Sequence, residues 1–215
     1  TPEVNVCTIE DPIEMIDARL NQMQVNADID LTFATGVRAL MRQDPDIIMV
    51  GEIRDLPTAD MAVQAALTGH LVLSTLHTND APSSISRLVD LGAPPYLLAA
   101  TLLGVMAQRL VRVLCPHCKQ KVAFQREEDH AMWNALCAPY KATPPAEVHR
   151  PVGCLECRNT GYLGRVGIYE IMPMSIEVKR LLAQSPDLAA LTAAAYKAGM
   201  RPLRVSGAMK VAQGV

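Results

Sequence analysis

The sequence predicts an α/β protein: a parallel sheet flanked by helices, with a tetracysteine insertion and a helical C-terminal part. Three observations carry this. Short apolar runs alternate with helix-length stretches from Val4 to Val113, the pattern of a right-handed, doubly wound parallel sheet. Three of those runs stop at polar residues, at the end where ligands of open parallel sheets bind. Four of the six cysteines fall in two C-x-x-C pairs.

At 215 residues the chain can build one good core, or one domain with a smaller appendage. A net charge of −2 with mixed signs singles out neither a nucleic-acid nor a membrane partner. No run of about 18 apolar residues occurs, so no transmembrane segment is expected, and the N-terminus carries no secretory signal pattern. The chain begins in the approach to a strand and runs out at Gly214-Val215, so we expect an excised piece of a longer protein.

Val4 to Ile9 is alternating and rich in β-branched residues, which predicts a strand that Pro12 stops. It delivers Glu10, Asp11 and Glu14 to its end. Three carboxylates in five residues suit a cationic ligand, and equally a solvated acidic turn. Gln22 to Asn26 reads as a short edge strand. Asp30 to Arg42 reads as a helix with Thr32 as N-cap and Phe33, Val37, Leu40 and Met41 as its apolar face. Arg38 and Arg42, four apart, read as surface charges or as phosphate contacts.

Ile47 to Val50, with Pro45 before it and Gly51 after it, reads as a fully buried parallel strand. Gly51, Glu52, Arg54 and Asp55 at its end suit a metal–phosphate site; a buried strand followed by a charged turn has the same pattern. Pro57 to Thr68 is then a helix with Pro57 in its first turn and Gly69 at its C-cap. Leu71 to Thr75 reads as another buried strand, ending at His77 between Thr75 and Thr78. A lone histidine is commonly a satisfied structural residue, but His77 directly after a strand is a better ligand candidate than His70. Pro82 to Leu91 is a helix closed by Gly92, and Tyr96 to Val113 reads as a longer apolar helix. The strand ends carrying Glu10, Glu52 and His77 gather on one edge, where a phosphate ester fits.

Cys115-Pro-His-Cys118 and Cys154-Leu-Glu-Cys157 make C-x2-C-x35-C-x2-C. Two such knuckles close a tetrahedral four-sulfur shell around a structural zinc, with Gly153, Gly161 and Gly164 supplying the loose backbone. Buried or disulfide-bonded cysteines are the competing reading, which the spacing disfavours. Cys7 and Cys137 are left over, Cys7 as a core residue. Pro139, Pro144, Pro145 and Pro151 mark the segment between the knuckles as irregular and mobile. A short strand over Val166 to Ile171 and helices over Ile176 to Ala183, Leu188 to Ala198 and Leu203 to Val211 follow.

With these residues in view, the chain resembles the type II secretion and type IV pilus assembly ATPases, and more closely the pilus extension ATPases, over essentially its whole length. Thr8-Ile-Glu-Asp-Pro-Ile-Glu14 is similar to the family's Asp box, and Arg42 to Asp55 to its Walker B segment. Gly69 to Asn79 is similar to its His box, and the C-x-x-C pairs to its zinc-bound insertion. The resemblance implies a RecA-like ATPase using ATP and Mg²⁺. In it Glu10 polarises the attacking water, with Glu14 as runner-up; Glu52 holds the magnesium or its waters, and His77 senses the γ-phosphate. Asp11, Gly51, Arg54 and Thr75 complete the nucleotide-binding set. Cys115, Cys118, Cys154 and Cys157 bind structural Zn²⁺. It implies a homo-hexamer in the full-length protein, cytoplasmic and peripheral at the inner membrane, docked on a platform protein of the pilus or secretion machine. Residues 1–112 are then the C-terminal portion of the ATPase domain, 113–160 the zinc-binding subdomain, and 161–215 a short strand with C-terminal helices.

Two departures matter. Gly51 stands where a usual Walker B strand ends in Asp, which places the burden on Glu52. No G-x-x-x-x-G-K-[ST] occurs in the 215 residues, so the chain alone is expected not to hydrolyse ATP. Another reading makes it a zinc-stabilised interaction module for the membrane platform. A nucleic-acid-binding ribbon needs a basic surface with stacking aromatics; residues 112–160 have mixed charge and one tryptophan, Trp133.

Overall fold

The computed structural model describes residues 3–138, 140, 142–184 and 187–215; Pro139 lies outside them. The elements begin β1 (Val6–Glu10), β2 (Asn21–Gln24), α1 (Phe33–Leu40), β3 (Ile47–Val50), α2 (Leu56–Leu67), β4 (Leu71–Ser74), α3 (Ala81–Asp90) and α4 (Pro95–Thr101). They continue with β5 (Gly104–Leu114), β6 (Gln120–Ala123), α5 (Glu127–Cys137), β7 (Glu147–Arg150), β8 (Tyr162–Pro173), α6 (Ile176–Gln184), α7 (Leu188–Lys197) and α8 (Leu203–Ala212). They fall into two compact units, Thr1–Val105 with Pro173–Ala195, and Met106–Met172 with Tyr196–Val215.

The first unit holds a RecA-like parallel sheet in the order β2-β1-β3-β4. The apolar run Ile47–Val50 is central, with β1 on one side and β4 on the other. Asn5 fixes where it starts: its side-chain amide donates to the carbonyls of Gln43 (2.8 Å) and Asp44 (2.9 Å), and its N–H donates to Asp46 Oδ2 (2.7 Å). The crossovers β2–α1–β3 and β3–α2–β4 both step the same way across the sheet. Right-handed crossovers then place both helices on one face, where α1 and α2 pack together. Across these strands the winding is therefore single, which corrects the doubly wound expectation. Cys7, Ile9, Ile48 and Val50 point to that face and make a buried core with Phe33, Val37 and Leu40 of α1 and Ala65 of α2.

The helix boundaries follow from capping side chains. Thr32 Oγ1 accepts from Thr35 N–H in a reciprocal capping box. Asp55 Oδ1 accepts from Thr58 N–H at 2.8 Å, and Asp80 Oδ1 from Ser83 N–H at 2.8 Å. Asp55, grouped with the metal–phosphate residues in the sequence, is thus engaged as a helix cap.

Two further expectations are corrected. β4 is an edge strand among the described residues, not a buried one. Register pairs Leu71 with Ile47 and Leu73 with Met49 on the face away from α1 and α2, and the two leucines are 41% and 49% exposed. The apolar stretch from Tyr96 is helical only to Thr101, because Gly104 breaks it and the alternating Val105-to-Val113 segment pairs as β5 with β8. α4 and α6 pack together, burying Leu98, Val178 and Leu182.

In the second unit the segment between the knuckles is folded, which corrects the expectation of an irregular insertion. β6 and β7 pair antiparallel, α5 packs on α8, and Phe124, Trp133, Cys137, Val148 and Ala208 form their core. Trp133 Nε1 donates to Ala142 O at 2.9 Å, and Arg204 donates to the carbonyls of Ala135 (3.1 Å) and Leu136 (2.6 Å) at the end of α5. The expected short strand at Val166–Ile171 is the middle of the twelve-residue β8. The buried Glu170 of β8 accepts from Leu203 N–H at 3.2 Å, capping α8, whose N-cap residue Pro202 provides no side-chain acceptor.

Candidate active site and metal centre

Because β1, β3 and β4 are parallel, their C-terminal ends lie along one edge of the sheet. That edge carries Glu10, then Gly51 and Glu52, then Thr75 and His77. Gly51 N–H donates to Ile9 O at 2.8 Å, extending the ladder by one residue. A Cβ on Gly51 would lie 3.2 Å from Ile9 O and 3.3 Å from Phe33 Cε1. A side chain there meets β1 backbone and a core ring, so Glu52 supplies the first carboxylate of this strand end. Thr75 ties the two strand ends together: its hydroxyl donates to Gly51 O at 2.6 Å, and its carbonyl accepts from Ile53 N–H at 3.1 Å. Glu52 sits between these two anchored residues.

The Glu52 side chain is 13% exposed and meets two basic side chains: Oε1 pairs with Arg54, and Oε2 accepts from His77 Nε2 at 3.1 Å. The hydrogen bond from Arg54 holds the Glu52 carboxyl below the usual carboxylate range. Burial opposes this, and the charges of Arg54 and His77 reinforce it. The field of Asp11 also reaches Arg54. Asp11, Glu52, Arg54 and His77 therefore form one electrostatic group, with Arg54 and His77 projecting into solvent at 60% and 88% side-chain exposure. An exposed guanidinium and an imidazole at the carboxyl edge of a parallel sheet suit a phosphate ester.

The sign of the pH response follows from the depressed carboxyl. The ion pair is present above the ordinary carboxylate range and is lost as pH falls through the lowered Glu52 value. Arg54→Met is expected to move the Glu52 titration upward, read by carboxyl-carbon NMR. An unchanged titration would contradict this account of the pair.

Glu10 lies beside this group. Its Oε1 accepts from Thr8 Oγ1 at 2.5 Å and from Gln22 Nε2 at 3.1 Å. Thr8 and Gln22 were not legible as site residues, since nothing in their spacing marks them. Glu14 stands apart: it is exposed on the β1–β2 loop and makes no hydrogen bond or ion pair among the described residues. His70 is structural, its Nδ1 lying 2.9 Å from Ala65 O and 3.1 Å from Thr68 Oγ1 at the end of α2. Arg38 and Arg42 are exposed, with Arg38 reaching the sulfur of Met61.

In the second unit Cys115, Cys118, Cys154 and Cys157 bring their sulfurs within 4.8 Å of one another. Neighbouring sulfurs lie 3.8 Å (Cys115–Cys154), 3.9 Å (Cys118–Cys157) and 3.8 Å (Cys154–Cys157) apart. A tetrahedron with metal–sulfur bonds of about 2.3 Å has edges of about 3.8 Å, whereas a disulfide needs about 2.05 Å. The donor set therefore fits a metal and excludes disulfides. Gly153 N–H donates to Cys118 Sγ at 3.3 Å, and the N–H groups of Cys154 and Gly161 to Cys157 Sγ at 3.2 Å each. Burial pushes the Cys157 thiol up, but these N–H groups and the neighbouring thiols outweigh it and hold it at about 6. The glycines are required: Gly153 and Gly161 have φ of 120° and 77°. Cys7 and Cys137 are buried outside the cluster.

The family model described as "Type II/IV secretion system protein" matches residues 1–215. The type IV pilus assembly ATPase TfpB of Acinetobacter baylyi is 61% identical over 215 residues, covering 100% of this chain and 36% of the relative. The type II secretion system protein HxcR of Pseudomonas aeruginosa is 50% identical over 210 residues, covering 98% of this chain and 40% of the relative. The chain thus spans less than half the length of these curated relatives. Among solved structures, the Legionella pneumophila ATPase DotB superposes with a TM-score of 0.66 at 25% identity, over 99% of this chain and 48% of that one. With a family model spanning every residue and two relatives at half identity or better, the chain belongs to the type II/IV secretion system protein family.

Proposed function

We propose that this chain is the C-terminal part of the ATPase domain of a homo-hexameric motor that hydrolyses ATP to drive type IV pilus assembly or type II protein secretion. The observation that carries it is the row of Glu10, Glu52, Arg54 and His77 along the carboxyl edge of one parallel sheet. Glu10 takes the proton of the attacking water as its oxygen bonds to the γ-phosphorus and the bond from that phosphorus to the leaving ADP oxygen breaks. Arg54 and His77 bear on the charge of the phosphates, and Thr75 keeps the strand end under Glu52 in place. Glu52 would hold Mg²⁺, which would supply charge neutralisation for the transferred phosphate. The close contact of Gly51 with β1 sets Glu52 next to Glu10 along the edge. Asp11 and Arg54 close the electrostatic circuit around Glu52. The tetracysteine cluster holds a structural Zn²⁺.

The chain alone does not hydrolyse ATP on this reading, because no phosphate-cradling G-x-x-x-x-G-K-[ST] loop occurs in it. The open edge of β4, with Leu71 and Leu73 exposed, suits a further strand carrying that loop. Functionally the segments divide into 1–112 for chemistry, 113–160 for zinc and 161–215 for the C-terminal helices. No helix of the described residues is long and apolar enough to cross a membrane, which suits a cytoplasmic motor peripheral at the inner membrane. A second reading, a zinc-stabilised module docking on an inner-membrane platform protein, is favoured by the apolar side chains exposed around the second knuckle: Leu155 at 89%, Val152 at 55% and Leu163 at 47%.

The test is magnesium-dependent ATP hydrolysis by a chain extended upstream through the phosphate loop, beside residues 1–215 alone. Hydrolysis by the extended chain only is the expected result. No hydrolysis from oligomeric extended protein would overturn the motor reading in favour of docking.

A further inference from the structure

Glu10 is held from one side, and the holder leads away from the sheet edge. Register pairs Thr8 with Gln22 and Glu10 with Gln24, so these four side chains share the sheet face opposite Cys7 and Ile9. Thr8, 2% exposed, and Gln22 both donate to Glu10 Oε1. Two donors on one oxygen fix the rotation of the carboxylate. Its Oε2 has no partner among the described residues and is left to meet a water.

The orientation of the Gln22 amide is itself determined. Its Nε2 also donates to Met15 O at 3.0 Å, and its Oε1 accepts from Asp17 N–H at 2.8 Å. A flipped amide would set oxygen against the Met15 carbonyl and N–H against the Asp17 N–H, so only the observed orientation satisfies all three groups. Both backbone partners lie on the loop between β1 and β2, which exposes Met15 at 75% and Ile16 at 88%. Asp17 is held in turn by Arg19, whose Nε donates to Oδ1 at 2.9 Å. Gln24 pins the same loop elsewhere, its Oε1 accepting from Ile13 N–H at 3.3 Å, without touching Glu10.

We infer that Gln22 is a positioning residue for Glu10, and that through it the geometry of the water-activating carboxylate follows the conformation of the β1–β2 loop. This rests on the reading of Glu10 as the group that takes the proton from water. Misplacing a reacting group by about 1 Å costs on the order of 10²-fold in rate, and the hydrogen bonds of Gln22 go to Glu10, Met15 and Asp17 rather than to Asp11, Glu52, Arg54 or His77.

The experiment uses the chain extended upstream. Gln22→Met, equal in length and without polar atoms, is expected to lower kcat by roughly 10–100-fold with KM for ATP within about twofold. Gln24→Met, which loosens the loop without touching Glu10, is expected to lower kcat by less than Gln22→Met, because Gln22 still joins the loop to Glu10. Gln22→Glu keeps the acceptor for Asp17 N–H but has no donor for Glu10, and is expected to lose kcat comparably, so the test survives if the Met variant folds poorly. Placed on Glu10→Gln, Gln22→Met is expected to add less than about twofold, because a positioning residue has nothing left to position. An unchanged kcat in both Gln22 variants beside an inactive Glu10→Gln would overturn the inference alone, as would losses that multiply in the double variant. Full activity of Glu10→Gln would overturn it together with the reading of Glu10.

Discussion

Glu10→Gln in the upstream-extended chain is expected to lower ATP turnover by about 10²–10⁴-fold, the range a positioned general base contributes, while ATP binding is retained. The amide has the shape of the carboxylate and can still accept from Thr8 and Gln22, so the loss isolates proton acceptance from geometry. Glu52→Gln is expected to be at least as damaging but with a different signature. It removes the charge that holds Arg54 and His77, so the apparent magnesium requirement should rise along with the fall in kcat. Steady-state rates across a magnesium titration separate the two. Glu14→Gln, on the exposed loop away from the group, is expected to be nearly silent. Abolished turnover in Glu14→Gln beside an active Glu10→Gln would exchange their roles.

The features legible in the sequence are those in which one local pattern has a single structural outcome. Ile47–Val50 between Pro45 and Gly51 marked a parallel strand ending at Glu52, although only Ile48 and Val50 are buried, while Ile47 and Met49 are half-buried rather than fully buried as expected. Thr32 before an amphipathic stretch marked the N-cap of α1, although the helix is Phe33–Leu40 rather than the expected Asp30 to Arg42. Two C-x-x-C pairs converge because each knuckle is a local turn. What escaped depends on partners distant in the chain. The residues from Gly104 to Leu114 are strand because β8 pairs with them about sixty positions later, whereas their apolar character alone suits a helix equally well. The cysteine-rich insertion is ordered around Trp133 by Ala208 of α8, which no reading of residues 118–154 contains. Leu71 and Leu73 looked buried because they are apolar, but β4 is the sheet edge. Within the site, residue types announced the acids and the histidine. The hydroxyl of Thr75 on the Gly51 carbonyl and the amide of Gln22 on Glu10 are matters of register, visible only once the strands are paired.

Changing any one of Cys115, Cys118, Cys154 or Cys157 to Ser is expected to remove about one zinc per chain and to unfold the second unit. The reason is size. Its core around Trp133 is small, and small units need a metal or a comparable staple. Structural zinc in a four-thiolate site contributes on the order of 10 kcal/mol or more of folding free energy, well above what a handful of buried side chains leaves as surplus. The four sulfurs already sit at tetrahedral spacing with N–H groups aimed at Cys118 and Cys157, so losing one thiolate breaks a preorganised shell rather than a loose one. Trp133, the single tryptophan of the chain and 3% exposed, gives the readout: its emission should shift to the red in the Ser variants and on treatment with a strong chelator. Cys7→Ser and Cys137→Ser, outside the shell, should keep the metal. Zinc retained in Cys157→Ser, or absent from the unaltered protein, would remove the metal from this fold and leave the four cysteines without an explanation for their spacing.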